Sequence, residues 1–151
     1  MRFAGALLLA ILVLSSIPSR SAPVCSPFRT GRAGVVEVNC QMQSNPRRIL
    51  SCVIDTGAQL SMASLSSVSS KSMRGAPVIT FQTPGGNQPA YETKQTILLG
   101  GIPILATVEV TPQISAIGTD VLIGEDVLSQ FQRVSIDYKN HVLTCETELP
   151  E

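Results

Sequence analysis

The chain has 151 residues with 44% hydrophobic side chains, a length and composition that fit one domain with a modest core. Its 11 basic and 11 acidic side chains balance, so charge gives no reason to expect a nucleic acid or an anionic membrane as partner. No cysteine spacing resembles a zinc site and the one histidine, His141, lies in a turn-like run, so we expect no metal and no cofactor.

The first residues have the order of a secretory signal peptide. Met1-Arg2 supplies positive charge, residues 3–14 are almost wholly apolar, and small residues follow up to Ala22. We therefore predict a signal peptide over residues 1–22 and export to the periplasm, the cell exterior or a secretory lumen. The apolar stretch is short for a membrane span, so an uncleaved anchor is the alternative, and we expect no stable membrane insertion after cleavage.

Downstream, short β-prone runs alternate with turn signals, and helical patterns are scarce. Glycine and proline separate the runs, most clearly at Pro84-Gly85-Gly86-Asn87. This pattern favours an all-β barrel or sandwich with short helices at most, over residues 60–71 and 126–131. Strands are predicted over residues 34–40, 49–54, 77–83, 91–99 and 102–110, with a terminal hairpin joining 134–137 to 141–145.

Four cysteines follow the predicted signal, and an even number in an exported protein suggests disulfides. Three pairings are possible. We favour Cys40–Cys52, which flank a likely turn at residues 44–46, together with Cys25–Cys145, which would tie the two chain ends. Buried free thiols, or pairing of Cys25 or Cys145 between subunits, are the alternatives.

One run carries the chemistry: Val53-Ile54-Asp55-Thr56-Gly57-Ala58 places an acid at the end of an apolar strand, before a turn of small residues. A carboxylate in such a place can have its pKa tuned for acid–base work. Asp-Thr-Gly alone is a weak signal. A second element strengthens it, because Leu122-Ile123-Gly124-Glu125-Asp126-Val127-Leu128 lies downstream, beyond the glycine-tipped turn.

Together these elements resemble the retropepsin-like aspartic proteases, the single-lobe relatives of pepsin. The resemblance implies an all-β fold: a closed, barrel-like acid protease lobe with a flap hairpin and one short C-terminal helix, one lobe per chain. It divides the chain into the signal peptide over 1–22, an N-terminal segment over 23–33, the protease domain over 34–146 and a tail over 147–151.

The resemblance also implies roles for single residues. Asp55 would be the catalytic aspartate, Thr56 would hydrogen-bond across a dimer, and Gly57 would leave room for backbone near the substrate. Asp126 could also cap the helix that follows Gly124. The other implied positions are Ala58, Gln59 and Leu122 in the substrate cleft, Gly85 and Gly86 at the tip of the flap, and Gly124 and Asp126 as structural support.

Peptide hydrolysis without a metal needs one group to activate water and another to protonate the leaving nitrogen, and two carboxyls that share one proton do both. Because the chain has one Asp-Thr-Gly, we expect a homodimer that cuts an extended polypeptide. Retroviral members of the family carry an ion pair at the places of Gln59 and Glu125, which this chain lacks. The alternative is therefore a non-catalytic dimeric or peptide-binding module on the same fold.

Overall fold

The computed structural model describes residues 24–83 and 86–147. The predicted signal peptide over 1–22, Gly85 at the predicted flap tip and all but the first residue of the predicted tail lie outside the described residues. No helix in these two stretches has both the length and the apolar composition needed to cross a membrane.

The described residues form ten strands and three helices of four residues each, which confirms the predicted all-β class. The strands are β1 Val24–Thr30, β2 Val36–Met42, β3 Leu50–Ile54, β4 Met62–Ala63, β5 Val78–Thr83, β6 Gly86–Leu99, β7 Ile102–Val110, β8 Val121–Ile123, β9 Arg133–Asp137 and β10 Val142–Glu146. The helices are α1 Ser70–Met73, α2 Gln113–Ala116 and α3 Glu125–Leu128. A 3-10 turn over Arg32–Gly34 joins β1 to β2.

The strands lie in the order β5-β6-β7-β4-β8-β3-β2-β1-β10-β9, and a further pairing of β6 with β2 closes the sheet on itself. Most pairs are antiparallel, but β3 runs parallel to β8 and β4 runs parallel to β7. Alternate residues point inward, since successive side chains of a strand leave opposite faces. On β7 the buried set is Ile104, Ala106, Val108 and Val110. The interior of the closed sheet is therefore an apolar core.

β5 and β6 form the hairpin predicted as the flap. Their pairing continues to Thr83 opposite Gly86. Gly86 has φ +103°, a backbone conformation that a residue with a Cβ rarely adopts. The glycine at this place therefore serves the geometry of the hairpin end.

β1 precedes the domain boundary that the sequence suggested at residue 34, yet it pairs with both β2 and β10. Two disulfides reinforce this region. Cys25–Cys145 joins β1 to β10 with Cα atoms 5.2 Å apart, and Cys40–Cys52 joins β2 to β3 with Cα atoms 5.9 Å apart. These are the two pairs favoured from the sequence, and both separations are ordinary for disulfides.

Candidate active site

Asp55 comes directly after β3, which the parallel neighbour β8 holds in register through Ile54 opposite Ile123. The pairing extends one step further, because the backbone N–H of Asp55 donates to the carbonyl of Ile123 at 2.9 Å. The half-buried side chain accepts a hydrogen bond from the backbone N–H of Gly57, with Oδ1 and N 2.9 Å apart. The carboxylate is thus fixed by the strand behind it and the turn in front of it.

The turn after Asp55 is tight and faces outward. The N–H of Ala58 donates to the carbonyl of Asp55 at 3.3 Å, and a Cβ on Gly57 would lie 3.3 Å from Asp55 Oδ1. Thr56 and Gly57 are both exposed. The glycine lets the backbone pass close to the carboxylate, and the exposed turn leaves that carboxylate reachable from outside the subunit.

Gly124 lies directly behind this loop. A Cβ there would stand 2.7 Å from the carbonyl oxygen of Ala58 and 2.9 Å from that of Leu60, distances that real Cβ atoms do not adopt. Its N–H donates to the buried hydroxyl of Ser61, with N and Oγ 3.0 Å apart. Only a glycine therefore allows the loop and the start of α3 to pack this closely.

The first turn of α3 is bonded to the same loop. The N–H of Glu125 donates to the carbonyl of Ala58 at 2.8 Å, and the N–H of Asp126 donates to the carbonyl of Gln59 at 3.2 Å. The leading N–H groups of a helix have no partner inside it. Here the loop carbonyls satisfy two of them, so α3 and the loop form one rigid unit.

Asp126 is in this unit but does not cap the helix as the sequence suggested. Gly124 occupies the N-cap position, and Asp126 Oδ1 instead accepts from the Ser61 hydroxyl at 2.7 Å. Its Oδ2 is buried without a hydrogen-bond partner among the described residues. The reason is geometric: α3 begins at Glu125, so the Asp126 side chain projects toward Ser61.

Nearby, the pKa of Glu109 on β7 is raised. Partial burial is the main cause, and the negative charges of Glu92 and Asp126 add to it. Glu92 and Glu109 are opposite each other on β6 and β7. Three acids, Glu92, Glu109 and Asp126, therefore lie close to one another near the loop that follows Asp55.

The structure brings together Asp55, its turn and the Gly124 element. Leu122 lies on the neighbouring strand, whereas Gly86 lies on a separate hairpin. Leu122 is half-buried on β8 opposite Val53, and Gly86 lies at the end of the flap hairpin. Gln59 and Glu125 are both exposed. Ser61 was not predicted, because nothing near it in sequence indicates that its partner lies 65 residues away.

Within residues 24–83 and 86–147, no three or more His, Cys, Asp or Glu side chains are grouped so that they could hold a metal ion.

The fold matches a solved structure, the crystal structure of a retropepsin-like aspartic protease from Rickettsia conorii. The TM-score is 0.61 at 16% sequence identity, over 83% of this chain and 92% of that one. No protein-family model matches the chain, and no curated protein matches it by sequence. The match confirms the predicted fold: this chain has the retropepsin-like acid protease fold.

Proposed function

We propose that this protein is an exported aspartic endopeptidase that works as a homodimer and hydrolyses peptide bonds between two Asp55 carboxyls, one from each subunit. The observation that carries the proposal is the setting of Asp55. It combines the Asp-Thr-Gly turn, the Gly57 N–H on one carboxylate oxygen and the close packing of Gly124 behind the loop. A carboxylate held in this way and left accessible suits acid–base chemistry.

In the proposed reaction the two Asp55 carboxyls share one proton, because two like charges so close together cannot both ionise readily. The ionised carboxylate takes a proton from water as the water oxygen attacks the carbonyl carbon. The protonated partner gives its proton to the nitrogen as the carbon–nitrogen bond breaks. The Gly57 N–H would hold one oxygen of each carboxylate in place, so that the other faces the water.

The dimer is supported by the exposure of the loop itself. Thr56 and Gly57 are exposed, and 48% of Leu60 is accessible although it is a large apolar residue. A cavity of about 490 Å³ beside Thr56 is lined by the α3 residue Leu128 and by Ser129 just after it, among others. A second copy related by a two-fold axis would cover these surfaces and bring the second Asp55 to the first.

Export is supported by the two disulfides, since such bonds persist in oxidising compartments. The proposal keeps residues 1–22 as a signal peptide. It also keeps the flap hairpin as the element that would close over an extended substrate, which would pair with strand edges through its main chain.

The test uses the mature protein and an Asp55→Asn variant, which keeps the shape of the side chain and removes its acidity. Both are incubated with unfolded protein and a peptide library between about pH 3 and pH 7. We expect cleavage by the wild type and a loss of at least about a thousandfold in the variant. Asp137→Asn is the matched control, because Asp137 is an exposed carboxylate at the end of β9 and its substitution should not affect cleavage.

Sedimentation of the same samples tests the assembly. A strictly monomeric but active protein would contradict the two-subunit reaction. A dimer that cuts nothing at any pH would favour the non-catalytic dimeric or peptide-binding module, an alternative that the absence of the Gln59–Glu125 ion pair keeps open.

A further inference from the structure

A second cavity, of about 430 Å³, opens on the outer face of β2 and β3. Two of its apolar residues are unusually exposed for their type, Ile117 at 66% and Val35 at 37%. Apolar side chains gathered around a concave surface suit the binding of another apolar group. Its lining includes Val35, Val53, Ala116 and Ile117, with Arg32 and Glu37 as charged members.

This cavity lies beside Asp55. On β3, Cys52 and Ile54 point into the core, so Ser51 and Val53 occupy the opposite face, and the next residue on that face is Asp55. Two residues of strand span roughly 6–7 Å. Val53, which lines the cavity, is therefore the neighbour of Asp55 on the same face of the strand.

Of the two charged side chains that line the cavity, Glu37 has an ion-pair partner and Arg32 has none among the described residues. Glu37 is bonded to Arg29, with Nη2 and Oε1 2.5 Å apart, and also accepts from the Ser51 hydroxyl. The pKa of Glu37 is lowered, first by the Arg29 hydrogen bond and then by that of Ser51, which favours the ionised carboxylate. Arg29 balances the negative charge of that carboxylate. Arg32 is exposed, and no described residue forms an ion pair with it. The cavity thus has one uncompensated positive charge.

On the basis of the proposed function, we propose that this cavity binds a substrate side chain next to the cleaved bond, and that Arg32 makes it prefer an acidic side chain to a basic one. A glutamate would lay its methylene groups against Val53 and Ile117. Its carboxylate would accept charge-assisted hydrogen bonds from the Arg32 guanidinium. A lysine in the same place would meet a like charge.

The kinetic test uses peptides that differ only by Glu, Gln or Lys beside the cleaved bond, at about pH 5.5, where a free glutamate is ionised. We expect the wild type to have a kcat/KM about fivefold or more higher for Glu than for Lys. Arg32→Ala should remove the preference for Glu over Gln, and Arg32→Glu should favour Lys. Arg47→Ala, an exposed arginine in the β2–β3 turn, is the control that keeps the wild-type ratios.

A binding test separates this inference from the proposed function. The same peptides, labelled with a fluorophore, are titrated into Asp55→Asn protein with and without Arg32→Ala, so that no turnover is needed. Tighter binding of the Glu peptide that depends on Arg32 supports the cavity assignment even if no peptide is ever cut. The assignment is overturned if Arg32→Ala leaves the Glu-to-Gln and Glu-to-Lys ratios unchanged in both tests, in kcat/KM against wild type and in affinity against Asp55→Asn, even if cleavage is efficient.

Discussion

Gly124 packs so closely against Ala58 that no other residue type fits at position 124. A Cβ on Gly124 would lie only 2.7 Å from the Ala58 carbonyl oxygen. The two residues follow different strands, β3 and β8, and the N–H of the next residue, Glu125, bonds to that same carbonyl. The position of the Asp55 turn therefore depends on a glycine 69 residues later in the chain.

Gly124→Ala should displace the loop. Because backbone atoms cannot yield as a flexible side chain can, we expect a loss of about 1–3 kcal/mol in the free energy of unfolding, together with most of the cleavage activity. Urea unfolding and peptide cleavage measure the two effects. Gly101→Ala is the matched control: its φ of +84° makes alanine unfavourable there, but a Cβ would contact nothing. It should lower stability and leave activity unchanged, and equal activity losses would contradict the assignment.

Ser61→Ala should also weaken the loop. The hydroxyl both accepts from the Gly124 N–H and donates to Asp126, so its removal leaves buried polar groups without partners. Such groups cost about 1–3 kcal/mol, which urea unfolding would detect. Ser70→Ala, at an exposed position of α1, should change stability little. An unchanged midpoint for Ser61→Ala would show that the contact contributes nothing.

Glu109→Gln should stabilise the protein at neutral pH. The pKa of Glu109 is raised in the folded state, chiefly by burial, so the protonated form is the one that folding favours. Its favourable contribution is present below the unfolded pKa of about 4.3 and is lost as the pH rises through the folded value. The variant should thus be more stable than wild type at pH 7, with no such gain at about pH 3.5, in urea unfolding at both pH values.

Glu37→Gln should destabilise the protein at neutral pH, the opposite of the effect expected for Glu109→Gln. Its pKa is lowered by Arg29 and then by Ser51, so its contribution is present above the unfolded pKa and is lost as the pH falls through the folded value. The variant should be less stable than wild type at pH 7 and similar to it in acid. Since Arg29 is mostly exposed, the loss should be small. A gain at neutral pH would contradict the ion pair.

The two disulfides should differ in their effect on stability. Cys25–Cys145 closes a loop with a sequence separation of 120, and Cys40–Cys52 closes one of 12. Loop-closure entropy predicts losses of about 4–5 and about 3 kcal/mol when each pair is replaced by alanines. Guanidinium unfolding of the two double variants measures this, with the oxidised wild type as the reference. A larger loss from the short loop would reverse the expected order.

Much of the fold was predictable because its signals are local. The predicted strands over 49–54 and 102–110 differ by one residue or none from Leu50–Ile54 and Ile102–Val110. β1 lies in the N-terminal segment over 23–33, and no local signal shows that it pairs with β2 and β10. β4 and β8, two and three residues long, are too short to show a period.

The candidate site likewise contains residues that the sequence reveals and residues that only the fold reveals. The motif around Asp55 and the glycine at 124 can be recognised in the sequence, because a strand-end acid and a close backbone approach each require particular residue types. Ser61 and Arg32 cannot be recognised in this way. The role of Ser61 depends on Asp126, and that of Arg32 depends on the loop at Ile117. In both cases only the closed sheet brings the two parts of the chain together.

The Cys25–Cys145 bond makes the described chain a covalent ring, since it joins the first strand to the last. One cut anywhere inside that ring leaves its two pieces attached, whereas a cut before Cys25 releases its peptide at once. On a gel without reductant, a single self-cleavage inside the ring would therefore be invisible, whereas removal of residues outside it, such as the leading segment, would change the apparent mass. Processing of the N-terminus and damage to the domain can thus be told apart by running the same sample with and without a thiol.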